Sequence, residues 1–168
     1  MDREELKATQ RPLKERYQRE PLAALVTLHA EGQLAGTEIA CSVATGRALV
    51  KAGLHQASGG TGTLACSGDM LLQALAACTG VTLRSVASSM GIEVSGRVHT
   101  EGDLDFRGTL GVRADDEPPV GFREIRVFLE LESDADEEQL DTLVRLTERY
   151  CVVYQTLRGG VRIHIERY

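Results

Sequence analysis

Residues 67–91, SGDMLLQALAACTGVTLRSVASSMG, decide the fold of this chain. Wound as an α-helix, Met70, Leu71, Leu72, Ala74, Leu75, Ala76, Ala77, Cys78, Val81, Leu83, Val86 and Met90 cover nearly the whole circumference. A helix that is apolar on all sides belongs inside a core or a membrane. Asp69, Gln73 and Arg84 leave the stretch short of the ~20 apolar residues of a membrane span, so a core is the expected place. Ser67 suits an N-cap, with Asp69 in a first turn favoured by the helix dipole. Gly91 supplies a C′ stop. The spacing predicts a central helix from Ser67 to about Ser89.

Downstream, residues 92–100, 102–112 and 122–132 read as strands. The last alternates Ile125, Val127, Leu129 and Leu131 with Arg126, Phe128 and Glu130. Residues 115–119 (DDEPP) form a turn between two of them. A second helix is expected from about Asp136, carrying Leu140, Leu143, Val144, Leu146 and Tyr150 at helical spacing, with Cys151 near its end. Gly159-Gly160 breaks it, and Val161, Ile163 and Ile165 alternate as a final strand. Upstream, Leu25, Val26 and Leu28, then Glu31-Gly32, then Ile39, Cys41 and Val43 read as a hairpin turning at the glycine. A further strand is expected at 48–50. Residues 53–62 (GLHQASGGTG) are a loop that lacks the Gly-Lys-Ser/Thr ending of a phosphate-binding loop. Blocks of strands with interspersed helices mean an α+β fold.

The 168 residues suit one domain, with 42% hydrophobic and 26% charged residues in ordinary globular proportion. The net charge of −6 counts against nucleic acid and anionic membranes as partners. Residues 1–20 mix six basic with five acidic side chains and hold no apolar segment, which does not fit a signal peptide and makes the cytoplasm the expected location. Leu6, Leu13 and Tyr17 give this arm a thin helical stripe.

Cys41, Cys66, Cys78 and Cys151 contain no Cys-x-x-Cys and match no zinc spacing, and His29, His99 and His164 stand at unrelated intervals. Free thiols are therefore expected. Cys41 lies between Ile39 and Val43 on a strand, and Cys66 just precedes the central helix. Cys78 and Cys151 sit on the two helices. The helix around Cys78 offers Ala74, Leu75, Val81 and Thr82, none of which is expected to stabilise a thiolate. Alone, such a cysteine is an inert core residue, because burial raises a thiol pKa.

Two stretches change that reading. SGDMLLQALAACTGVTL, around Cys78, and ERYCVVYQTL, around Cys151, resemble the OsmC/Ohr family, as do the order of elements and the length over roughly residues 22–168. The resemblance implies antiparallel sheets wrapped around two central helices in an intertwined homodimer. Residues 1–21 would be a charged N-terminal arm and 22–168 the OsmC-like domain. Family members of assigned function are thiol peroxidases, so Cys78 would be the attacking and Cys151 the resolving cysteine. The implied activity is reduction of organic hydroperoxides, fatty or aryl, through a cysteine sulfenate and a Cys–Cys disulfide. A dithiol reductant protein would reopen the disulfide, and neither metal nor organic cofactor is needed. An apolar pocket from Leu71, Leu75 and Val81 would favour organic substrates.

The chain also departs from that pattern. Typical members carry a Glu ten residues before the attacking cysteine, in an Asn-Pro-Glu context; here Gly68 stands there and Asp69 follows. From Asp69 to Cys78 a straight helix advances about 13.5 Å and turns about 900°, which puts the two on opposite faces and leaves contact across a dimer interface. Ohr-type members carry an activating arginine in the first hairpin, and the matching Glu31-Gly32-Gln33-Leu34 has none. Arg47 and then His55 are the substitutes, with Asp69, as polar support for the thiol. Two other readings remain: a non-catalytic small-molecule binding protein on the same dimer scaffold, and a hydrolase pairing Cys78 with His55. The second lacks any third residue spaced to orient the histidine.

Overall fold

A computed structural model of the protein describes residues 3–34, 42–43, 52–113 and 115–167. Helix α1 (Arg3–Arg19) leads through a 3₁₀ turn at Pro21–Ala24 into strands β1 (Leu25–Leu34), β2 (Ser42–Val43) and β3 (Ala52–Gly53). A second 3₁₀ turn, Gln56–Ser58, precedes β4 (Ala65–Cys66) and helix α2 (Ser67–Met90). Strand β5 (Ser95–Asp105), the short helix α3 (Phe106–Thr109), strand β6 (Phe122–Glu132) and helices α4 (Glu137–Tyr150) and α5 (Val152–Gly159) follow. One sheet has the order β2-β1-β5-β6, and β3 pairs with β4 in parallel. Strands β1 and β2 are antiparallel, with Gly32 opposite Val43 and Gln33 opposite Ser42. The arrangement is mixed helix and strand.

Local chemistry explains the helix ends. At Gly91, φ is +70°, a conformation that costs glycine nothing. Its amide donates to the Ser88 carbonyl at 3.2 Å and the Ile92 amide to the Ala87 carbonyl at 2.9 Å, closing the last turn of α2. At the start of α4 the Asp136 carboxylate accepts the Gln139 amide at 2.8 Å, while Gln139 Oε1 accepts the Asp136 amide at 3.1 Å. This reciprocal capping box fixes where the helix begins.

The chain divides into two compact units. The first comprises Met1–Ala30, Ala44–Gln73 and Thr100–Val127; the second comprises Glu31–Val43, Ala74–His99 and Phe128–Tyr168. In the first, Tyr17, Ala24, Phe106, Leu110 and Val112 form a buried cluster joined by Leu13 and Ala57. Helix α1 enters it through Tyr17, whose hydroxyl donates to the Ala57 carbonyl at 2.7 Å. In the second unit the buried side chains include Leu75, Ala76, Leu83, Ala87, Val98, Leu143 and Cys151.

Several sequence expectations need correction. Glu31-Gly32 is no turn: β1 runs through both residues to Leu34 because Gly32 is paired across the ladder. The link to β2, the strand expected at 48–50, Cys41 and Arg47 all lie outside the described residues. The strands expected at 92–100 and 102–112 are one strand and a short helix. Gly102 sits inside β5, where a Cβ would come within 2.4 Å of the Phe122 ring, so close approach rather than a turn requires the glycine. The expected second helix is two, parted at Cys151. Residues 160–167 form neither helix nor strand, and Val161, Ile163 and Ile165 are 59%, 81% and 96% exposed. Their alternation is only a propensity, and a strand needs a partner edge to form. Finally, α2 is not covered on all sides, since Met70, Leu71 and Val81 are more than a third exposed. By length and composition alone this helix is long and apolar enough to cross a membrane, yet Leu72, Leu75, Ala76 and Leu83 are buried in the protein.

Candidate functional site

The second unit brings two cysteines together. Cys78 lies midway along α2 and is half-buried; Cys151 is fully buried. Cys151 has the extended backbone angles φ −70° and ψ 110°, so it ends α4 and starts α5 at once. The first amides of any helix have no intrahelical acceptor. Here hydrogen bonding from the amides of Val152 and Val153, the first two residues of α5, lowers the pKa of Cys78. The Cys151 thiol and the Thr82 hydroxyl, one turn further along α2, hydrogen-bond the same sulfur.

The two thiols are driven in opposite directions. Burial alone pushes Cys78 up, but the Val153 amide, the Cys151 thiol, the Val152 amide and the Thr82 hydroxyl outweigh it and set Cys78 below the ordinary cysteine value. Burial likewise pushes Cys151 up. The Tyr154 amide and the Thr79 hydroxyl pull against that, while hydrogen bonding to Cys78 and its charge reinforce it, so Cys151 stays above the ordinary value. Cys78 is thus the sulfur that ionises first, with Cys151 as its protonated donor. Thr79 Oγ1 stands 3.6 Å from Cys151 Sγ.

Each of the other described sequence candidates belongs to one of the two units. Asp69 occupies the first turn of α2, within the first unit. His55 also belongs to that unit, where its Nδ1 accepts the Ala57 amide at 3.0 Å and its ring stacks on Phe106 at 4.9 Å. Of the apolar trio, Leu75 is buried while Leu71 and Val81 are part-exposed. Cys66 ends β4 as a free thiol. Among the described residues, no group of three or more His, Cys, Asp or Glu is placed to hold a metal ion.

Sequence reasoning missed four contributors: Thr79, Thr82, Val152 and Val153. Thr82 corrects the expectation that nothing on the helix around Cys78 stabilises a thiolate. It stands four residues after Cys78, the spacing at which helical side chains meet. The Val152 and Val153 amides were hidden because the break at Cys151 carries no glycine or proline.

A family model described as OsmC-like protein matches residues 60–166. Among solved structures, an OsmC-like hydroperoxide resistance protein from Jannaschia sp. CCS1 shares 16% sequence identity at a TM-score of 0.59, over 83% of this chain and 91% of that one. That likeness shows an OsmC-like fold. No curated protein matches the chain.

Proposed function

Because the chain belongs to the OsmC-like protein family, we propose that it is a thiol-dependent peroxidase for organic hydroperoxides, with Cys78 attacking and Cys151 resolving. The observation that carries the proposal is that the two sulfurs adjoin, with Cys78 drawn below and Cys151 held above the ordinary cysteine value. A Cys78 thiolate attacks the distal oxygen of ROOH, the O–O bond breaks, and the departing alkoxide takes up a proton to leave as ROH. Cys78 is then a sulfenic acid. Cys151 condenses with it, forming an S–S bond and releasing water. A dithiol reductant protein returns both thiols by exchange.

The proposal includes fatty or aryl hydroperoxides as substrates, no resident cofactor, a cytoplasmic location and no nucleic-acid or membrane partner. It also includes an intertwined homodimer, with sheets wrapped around two central helices and residues 1–21 as a charged arm. Two observations support a second copy: α2 leaves Met70, Leu71 and Val81 uncovered, and the alternating Val161, Ile163 and Ile165 are exposed. The description of the Jannaschia protein, hydroperoxide resistance, supports the peroxide chemistry.

The test is steady-state turnover of cumene hydroperoxide with a dithiol reductant. The expected result is one alcohol per dithiol oxidised, falling to background in Cys78→Ser. Wild-type consumption no faster than that of Cys78→Ser contradicts the proposal. Gly68, standing where typical members carry Glu, favours a second reading as a non-catalytic binding protein on the same scaffold. Thermal stabilisation by a fatty ligand that is not consumed marks that case.

A further inference from the structure

Cys151 is held by its backbone on both sides. Its amide donates to the Thr147 carbonyl at 2.9 Å, and its carbonyl accepts the Gln155 amide at 2.9 Å. With the main chain fixed, the direction of the sulfur depends on rotation about one side-chain bond and on what the sulfur meets. It meets Cys78 and the hydroxyl of Thr79, the next residue along α2, 3.6 Å away and only 5% exposed.

Resting on the peroxidase reading, we propose that Thr79 is a positioning residue for the resolving step, its hydroxyl holding the Cys151 sulfur beside Cys78 while Cys78 is a sulfenic acid. Before oxidation, the Cys78 thiolate itself anchors Cys151 as a hydrogen-bond acceptor. Attack on the hydroperoxide removes that anchor, because the sulfenic acid is neutral. The Thr79 hydroxyl and the Tyr154 amide are then the groups still directing Cys151. Resolution competes with a second oxidation. Cys151 attack forms the disulfide and releases water, whereas another hydroperoxide converts the sulfenate to a sulfinate and releases another alcohol. The partition between disulfide and sulfinate therefore reports how well Cys151 is aimed.

Reduced wild type, Thr79→Val and Thr79→Ser are treated with graded cumene hydroperoxide, and the products at Cys78 are mapped by mass spectrometry. Valine keeps the shape and removes the hydroxyl; serine keeps the hydroxyl. The sulfinate-to-disulfide ratio is expected to rise about fivefold in Thr79→Val, the weight of one ordinary hydrogen bond, and to return to wild type in Thr79→Ser. Equal partition in wild type and Thr79→Val, or a serine variant that behaves like valine, overturns the proposal. A second readout needs no hydroperoxide. In a Cys78→Ser background, the ultraviolet thiolate absorbance of Cys151 is titrated with and without Thr79→Val. The midpoint is expected to move up in the valine variant and back with serine, and an unmoved midpoint overturns the contact. If wild-type Cys78 resists hydroperoxide altogether, the peroxidase reading falls while this titration still decides Thr79.

Discussion

In the first unit, Arg107 lies between two carboxylates, with Nη2 at 2.6 Å from Asp105 and 2.8 Å from Asp116. In the second, the Cys78 sulfur lies against two amides, a hydroxyl and a thiol. Both arrangements stabilise a charged form. The first does so with full opposite charges that lock each other in place and leave neither group available for chemistry. Arg126 repeats that solution at the edge of the sheet, holding Asp103 at 2.6 Å, Glu124 at 3.0 Å and Glu101 at 3.2 Å. The second uses groups that carry no net charge, so they lower the Cys78 pKa without neutralising the thiolate once it forms. Moderate stabilisation suits a nucleophile, because a thiol's intrinsic reactivity falls with its pKa. The start of α5 supplies donors that no side-chain motif announces.

The comparison breaks most visibly if Arg107 is replaced. Arg107→Met leaves Asp105, 1% exposed, without its counter-charge, and the expected cost is on the order of 3 kcal/mol in urea unfolding. Its Cys78 titration should match wild type wherever the variant is folded. A next, smaller effect comes from Val152→Pro. Proline is tolerated at the first helical position, and Cys151 already has the extended backbone that a following proline requires. The substitution removes one donor to Cys78 and little else, so alkylation by iodoacetamide at neutral pH should slow about tenfold and its pH midpoint should rise. Unchanged alkylation would show that the amide does not act on the sulfur. Thr82→Val should move the same midpoint in the same direction with a slowing of about threefold, since a single hydroxyl is lost.

The smallest effect concerns Asp103. Hydrogen bonds from Arg126 and then Thr27 hold its carboxyl down to about 2, below the usual carboxylate range. A depressed carboxylate stabilises the fold above its unfolded value and loses that contribution as the pH falls through the folded one. The stability gap between wild type and Arg126→Met should therefore be widest near neutrality and shrink from about pH 4 to pH 2. A gap that stays constant over that range contradicts the assignment.

What was legible in the sequence follows from what the signals measure. The apolar circumference of residues 67–90 marked α2, and the strict alternation at 122–132 marked β6, because periodicity reports burial directly. The second helix was expected from about Asp136, where the structure adds the capping box with Gln139, and Gly91 announced the stop of α2. The break expected between 100 and 102 is absent because Gly102 is needed for close packing against Phe122 within one continuous strand. The tail at 161–165 misled because alternation states a preference for a strand and says nothing of the edge it pairs with. The two helical cysteines stood out, but their contact depends on a bend at Cys151 made by one ψ angle. Arg47 lies outside the described residues; among the described ones, two of the groups on the Cys78 sulfur are backbone amides, which every residue but proline carries and no motif distinguishes.

The most direct measurement is a single turnover. Reduced protein is given one equivalent of cumene hydroperoxide, and every cysteine is then mapped by mass spectrometry. The account predicts a Cys78–Cys151 disulfide with one cumyl alcohol released and Cys66 left as a free thiol. Cys78 and Cys151 still reduced after minutes of exposure, or oxidation that begins at Cys151 with Cys78 intact, would contradict it.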